Sequence, residues 1–394
     1  MTGSLQNKLR VLVITNGHPT PAALHFYTFI AEQAKALSAK IDINIINPVE
    51  ILLPIPRHRE QLKVARGFPI SLRSNGYRIY FSRAYRYFPG LNKYVVDHLM
   101  TWSAIYCIKR HCLEFDLIHA HFAHPSGYVA AMISKLFKKP YIITVHGSDI
   151  LENFIPKRIA QRRRRHRNLA LQQAARIICV SQYLKNVVIE MGIASKKVTV
   201  IPNGIDTKAF FPATSPNGRT DIIFIGNLIE LKGLDLLIRA FHQISKKAWS
   251  INLKIIGDGP HKQKLISLAT ALGIVDRIQF LGPKKNSEIV QVLATARLLC
   301  LPSRQEGFGV VLIEALACGV PVVGARTGGI VDIVTSEDIG FLFEPEDVDD
   351  LALKLETALQ KKWDRNVIRQ AGLRYSWDRI ADQIIEQYQA LLER

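Results

Sequence analysis

The chain has 394 residues, enough for two or three domains that each bury a core, which excludes a small disulfide-stapled or fibrous protein. Hydrophobic residues make up 48% and charged residues 22%, a balance too apolar for disorder. The net charge of +19 lies wholly in the first half, where residues 1–205 carry 29 basic and 10 acidic side chains against 23 of each in residues 206–394. The first half therefore favours an anionic partner, either a lipid surface or nucleic acid.

Short β-branched runs alternate with segments of helical period almost from end to end, the pattern of parallel sheets under crossover helices. In chain order the first strands expected are RVLVIT from Arg10, IDINII from Ile41, YRIYFS from Tyr77, DLIHAH from Asp116, YIITVH from Tyr141, RIICVS from Arg176 and VTVIP from Val198. A second set follows: DIIFIG from Asp221, INLKIIG from Ile251, IQFLG from Ile278, RLLCLPS from Arg297, VPVVG from Val320 and GFLFEP from Gly340. Between them PATSPNGRT, residues 212–220, reads as a linker. Two doubly wound domains are expected, with ligands just beyond the carboxyl ends of their strands.

The five cysteines lack zinc-type spacing and sit mostly in apolar runs, so they read as buried free thiols in a reducing compartment. The apolar run Val11 to Ile14 is shorter than a signal-peptide core. No uncharged run reaches the roughly 18 residues that cross a bilayer. The expected location is cytoplasmic, peripheral on the inner face of the membrane.

The most informative stretch is LPSRQEGFGVVLIEALACGVPVVGARTGGI from Leu301. A strand ends at Ser303, a loop carries Glu306 and Gly307, and a helix is expected from about Phe308 to Cys318. The amides of Phe308, Gly309 and Val310 then stand free at a helix N-terminus, where the dipole and unpaired donors suit an anion such as diphosphate. Glu314 lies among Val310, Val311, Leu312, Ile313, Ala315 and Leu316. A carboxylate there needs donors, which a ribose diol would supply; pairing with a buried arginine or capping a neighbouring helix is the alternative.

Glu306 and Glu314, followed by GVPVV and Gly328-Gly329, resemble the E-x(7)-E signature of the family-four retaining glycosyltransferases with the GT-B fold. GNLIELKGLDLLIRAF from Gly226, IIGDGP from Ile255, IPNGIDTKAF from Ile201, DLIHAHFAHPSG, KPYIITVHGSD and ICVSQYL match the family's order and spacing. The similarity covers nearly the whole chain. It implies an α/β, GT-B architecture: two Rossmann-like domains facing across a cleft. Residues 1–205 receive the acceptor, residues 206–375 hold a nucleoside-diphosphate sugar, and the last helix, 376–394, crosses back onto the first domain.

Carried over residue by residue, the resemblance implies that Lys232 sits on the leaving diphosphate, Glu314 on the ribose and Glu306 on the transferred sugar. His146 projects toward the reacting centre, with closure bringing it opposite Glu306. Gly17, Gly226, Asn227 and Asp258 line the strand-end loops. Asn227 stands where the family often has arginine, so Lys232 or Arg304 is expected to carry more of the phosphate charge. The family also often has glycine in the first strand-to-helix loop, where this chain has PTPAALHFY from Pro19. The transfer implied retains anomeric configuration by front-face attack, with no paired carboxylates of glycosidase type and with neither metal nor other cofactor.

His119, His121 and His124 form an H-x-H-x-x-H pattern, with His119 and His121 on one strand face. No carboxylate or cysteine lies near them in sequence to complete a metal shell, so none is assigned. PKRIAQRRRRHRNLALQQA from Pro156 holds seven basic residues between Lys157 and Arg167. Upstream, Tyr80, Phe81, Tyr85, Tyr87, Phe88 and Trp102 interleave with arginines. Contact with an anionic membrane is preferred over a merely solvated helix face. Two other functions fit less well: a sugar-nucleotide epimerase of the same architecture, and a basic nucleic-acid-binding protein, for which no recognised module is present.

Overall fold

In the first half, β-branched runs that are apolar on both faces form the strands, as burial on both sides of a parallel sheet requires. The computed structural model describes residues 8–19, 27–52, 70–86, 95–151, 157–212, 221–247 and 251–393. Its first elements are β1 (Arg10–Ile14), α1 (Thr28–Ser38), β2 (Asp42–Leu52), β3 (Ser71–Ser74), β4 (Tyr77–Arg86), α2 (Val96–Arg110) and β5 (Leu117–His121). They continue with α3 (Ser126–Phe137), β6 (Tyr141–Val145), α4 (Lys157–Gln173), β7 (Arg176–Cys179), α5 (Gln182–Glu190) and β8 (Val198–Val200). These strands form one sheet in the order β3-β4-β2-β1-β5-β6-β7-β8. Every pairing is parallel except β3 with β4.

The second half holds β9 (Asp221–Ile225), α6 (Leu234–Ser245), β10 (Asn252–Ile256), α7 (Lys262–Ala271), β11 (Ile278–Gly282), α8 (Asn286–Ala294) and β12 (Ala296–Leu301). After these come α9 (Val310–Ala317), β13 (Val322–Ala325), α10 (Ile330–Ile333), β14 (Gly340–Phe343), α11 (Val348–Gln360), α12 (Arg365–Leu373) and α13 (Trp377–Leu392). The sheet order β11-β10-β9-β12-β13-β14 is all parallel. Strand order reverses between β9 and β12, and in the first sheet between β1 and β5, the points where doubly wound sheets open to ligands.

Contacts divide the chain into two units: residues 1–180, 184–201 and 380–394, and residues 181–183 and 202–379. The last helix therefore begins in the second unit and ends in the first. Tyr388 of α13 is fully buried there and lies 2.6 Å from His119 Nδ1 on β5, whereas Trp377 packs in the second unit over Gly204. Helix ends follow local chemistry. Asp347 and Asp364 accept from two backbone amides each at the starts of α11 and α12, N-caps that each contribute about 1 kcal/mol.

Every expected strand is present. The differences are β3, which was not expected, and β2, which runs on through Asn47 and Pro48 to pair with β4 as far as Leu52. Cys107, Cys179, Cys300 and Cys318 are buried and free, whereas Cys112 is free and exposed. Most of the linker, residues 213–220, lies outside the described residues. No helix among the described residues is long and apolar enough to cross a membrane.

Candidate active site

The second unit assembles its strand-end loops through backbone contacts that only glycine permits. Gly233 has φ +61, and a Cβ there would lie 2.0 Å from the Pro302 carbonyl oxygen. Gly328, φ +53, would place a Cβ 1.9 Å from the Glu306 carbonyl oxygen, and the Gly329 amide donates to that same oxygen at 3.1 Å. The loop after β9 is tied to the loop after β10 by Leu228 N–H donating to the Asp258 carbonyl at 2.9 Å. Asn227 is exposed in that loop, next to Gly226. The Asp258 side chain, also exposed, accepts from the Gly259 amide at 2.8 Å. A Gly328→Ala variant is expected to lose about 1–3 kcal/mol of stability from the strained conformation and the clash. Denaturant melts check it.

Lys232 Nζ lies 2.6 Å from Glu306 Oε2, and Ser303 Oγ, fully buried, donates to the same carboxylate at 3.2 Å. Lysine and glutamate 74 residues apart therefore meet where the loops after β9 and β12 touch. Arg304 is ion-paired as well. Its guanidinium binds Asp235 through two bonds of 2.7 and 2.9 Å and also pairs with Glu346. Hydrogen bonding to Asp235 raises its already high pKa. Arg304 is thus held by two carboxylates, as Lys232 is by one.

The helix expected from Phe308 begins at Val310, with Gly309 at φ +100 as its N-cap, and ends at Ala317 rather than Cys318. The amides of Phe308, Gly309 and Val310 find no acceptor among the described residues. Behind them α9 buries Leu312, Ile313, Ala315, Leu316 and Ala317. Its C-terminal carbonyl at Ala317 accepts from Arg369 at 3.0 Å. Glu314 is the exception on this helix. Its carboxyl group has no hydrogen-bond or ion partner among the described residues, and burial alone pushes its pKa up to about 8. Among the described residues neither a buried arginine nor a neighbouring helix end takes it.

In the first unit His146 follows β6. Its Nε2 lies 3.1 Å from His121 Nδ1, its ring stacks on that of His121 at 5.3 Å, and Phe29 and Phe122 flank it. Burial first, and then the His121 charge, drives its pKa well below the ordinary histidine value, so the imidazole is neutral. Its Nδ1 is enclosed without a partner among the described residues. Asp149 holds the turn, accepting from the His146 and Gly147 amides at 3.1 and 3.0 Å and from Ala123 N at 2.7 Å. His121 and Asp149 hold His146 in place, contacts not assigned from sequence. Alternation along DLIHAH marks His121, and the THGSD turn marks Asp149. Gly17 follows β1, but the close approach it allows is to Phe122, whose ring a Cβ would meet at 2.5 Å. Most of PTPAALHFY, residues 20–26, lies outside the described residues.

The three histidines of the H-x-H-x-x-H pattern do not converge. His119 sits between Tyr388 and Thr144, with its pKa held down to about 3 by burial and then by the charge of His146. His121 joins His146. His124 Nε2 instead lies 3.0 Å from Asp97, a carboxylate that also meets His166 Nδ1 at 2.6 Å.

With both sheets and the loop site in place, residues 11–209 match glycosyltransferase family 4 and residues 206–374 match glycosyl transferases group 1. The chain is a family 4 glycosyltransferase. This glycosyltransferase is 31% identical to an uncharacterized glycosyltransferase of Methanocaldococcus jannaschii over 75% of its own length and 84% of that relative. Over 70% of its length and 72% of the relative, it is 28% identical to the N-acetyl-alpha-D-glucosaminyl L-malate synthase of Bacillus anthracis. Its fold is GT-B. Anabaena HepE in complex with UDP-glucose superposes with a TM-score of 0.71 at 22% identity, over 97% of this chain and 100% of that one. As a glycosyltransferase it is an enzyme of sugar transfer, and the epimerase reading falls away.

Proposed function

We propose that this enzyme transfers a sugar, with retention, from a nucleoside-diphosphate sugar to a hydroxyl of a membrane-lipid-linked glycan intermediate in surface polysaccharide or glycolipid synthesis. One observation carries the donor assignment: half-buried Glu314 has no partner among the described residues and sits one turn along a short helix from three amides, at its N-terminal edge, that also find no acceptor among them. A diphosphate at the amides and a ribose diol at the carboxylate would satisfy both ends together. Lys232 supplies a compact charge for the leaving diphosphate, and Glu306 holds the sugar's hydroxyls. The C1–oxygen bond to the diphosphate breaks as the acceptor oxygen bonds C1 on the same face, and the acceptor proton passes to the departing diphosphate. His146, carried over from the family pattern, is read as a neutral hydrogen-bonding group in this reaction. No metal or other cofactor is needed, because amides and ammonium carry the developing charge. Calorimetry with UDP, the nucleotide of the HepE complex, tests the donor half. Nucleoside diphosphate released only when acceptor is present tests transfer.

The acceptor reading rests on the first unit's charge and on its outer side chains. Arg163, Arg164 and Arg165 are exposed on α4; Arg167, the last of the run, is instead buried against Asn168 and Ile150. The side chains of Lys157 and Arg158, and residues Tyr87 and Phe88, lie outside the described residues. Tyr80 and Phe81 belong to the core, whereas Trp102 and Tyr106 on α2 are 70% and 66% exposed. Beside them a cavity of about 560 Å³ is lined by Phe81, Tyr85, Trp102 and Tyr106 with Arg83 and Arg110. Aromatic rings and arginines together suit a headgroup interface, each basic residue near an anionic surface contributing about 1 kcal/mol. The enzyme is thus read as peripheral on the cytoplasmic face of the membrane. It is expected to sediment with phosphatidylserine-containing liposomes at moderate salt, and Arg163→Glu/Arg164→Glu/Arg165→Glu should release it; a wild-type protein left wholly in the supernatant ends the idea.

A further inference from the structure

We infer that Asp97, His124 and His166 form a binding site for one divalent transition-metal ion of the zinc class, separate from the transfer machinery. The three come from different elements: Asp97 from the first turn of α2, His124 from the turn after β5 and His166 from the middle of α4. Their side chains are only 11–12% exposed, and their ligand atoms all lie within 4.8 Å of one another. One carboxylate oxygen, Asp97 Oδ2, lies 3.0 Å from His124 Nε2 and 2.6 Å from His166 Nδ1. In a tetrahedral zinc site with bonds near 2.0–2.1 Å, neighbouring donors stand about 3.3 Å apart. Small side-chain torsions would therefore open the cluster around an ion without moving the backbone.

The surroundings favour a built site over a chance meeting. The Tyr128 ring stacks on the His166 ring at 4.0 Å and 12°, and its hydroxyl reaches His98 Nδ1 at 3.4 Å. A packed second layer of this kind fixes ligand orientation. Two imidazoles and one carboxylate suit zinc and its neighbours in the first transition row, whereas calcium and magnesium prefer an all-oxygen shell. Three protein ligands leave a fourth position for water. No other group of three such side chains comes together among the described residues. The simpler alternative is that Asp97 bridges the two imidazoles by hydrogen bonds alone.

The test is a titration of the full-length, chelator-stripped protein with cobalt(II), followed by zinc(II). One equivalent of cobalt per chain is expected, with visible absorption from a low-coordinate site, displaced by one equivalent of zinc. Asp97→Asn and His166→Gln should each weaken cobalt binding by about 100-fold or more, since even second-layer losses reach 10–100-fold. His121→Gln, which touches the other histidine cluster, should leave it unchanged. Three results would overturn the site: no cobalt absorption in wild-type protein, full affinity retained in folded His166→Gln, or binding lost in His121→Gln instead. If one variant fails to fold, the wild-type stoichiometry and the other variant still decide.

Discussion

Lys232→Ala is expected to lower kcat for sugar transfer by about 10²–10³-fold, the effect of removing one preorganised charge-stabilising donor from an active site. The bond to the diphosphate breaks as transfer proceeds, so negative charge on the leaving group grows toward the transition state. A cation beside it acts more on that state than on the bound donor. The loss should therefore fall on kcat more than on KM. The fold should stay intact, because Lys232 closes a short 3₁₀ turn and, among the described residues, its side chain pairs with Glu306 alone. Glu306 keeps its bond from Ser303 in the variant. Lys232→Arg should recover only part of the rate, since a planar fork replaces a point charge. Steady-state kinetics on folded protein provide the check, and near-normal turnover in Lys232→Ala would remove this residue from the site.

Glu314→Gln is expected to weaken nucleotide binding by about 10–100-fold, since hydrogen bonds to a charged group contribute about 1.5–3 kcal/mol. The pH dependence follows from the raised pKa. In the unfolded chain this carboxyl titrates near its ordinary 4.5, and in the folded, unliganded enzyme near 8. Between those values the folded state holds a proton that the unfolded state has released. Stability without ligand therefore falls as pH rises through that window and levels off above it. In the proposed complex donor binding should reverse the preference, because ribose hydroxyls would stabilise the carboxylate. At pH 7 binding of UDP should release a fraction of a proton, and affinity should climb with pH toward about 8. Calorimetric titrations in buffers of different ionisation enthalpy measure that proton. Glu314→Gln should release none, should lose this part of the pH dependence, and should be no less stable than wild type at pH 8, because it removes an unpaired buried charge.

The periodic parts of the fold were legible in the sequence, because β-branched runs such as Tyr141–Val145 are buried at every position. β3 was not, because its SLRS sequence is mostly exposed and lacks alternation. Its signal lies next door, in Asn75-Gly76, where φ values of 43 and 90 make the tight hairpin turn that this dipeptide favours. The site was legible only in part. Helix position and apolar surroundings marked Glu314, but no spacing along the chain joins Lys232 to Glu306, and only the family resemblance did. The carboxylates that hold Arg304 were not legible, because Asp235 and Glu346 lie 69 and 42 residues away. Strand alternation placed His119 and His121 together. It failed one step later because Phe122 turns the chain at φ 73, and His124 departs toward α2.

The hydrogen bond between His119 and Tyr388 bears on how the chain matures as it leaves the ribosome. β5 is a central strand of the first sheet, yet the tyrosine that occupies its histidine is made 269 residues later. The amino-terminal sheet can collapse early, but that enclosed imidazole must wait until almost the whole chain has emerged. Residues 202–379 are translated, and free to fold, in the interval. Vectorial synthesis thus leaves the half that begins first to be completed last.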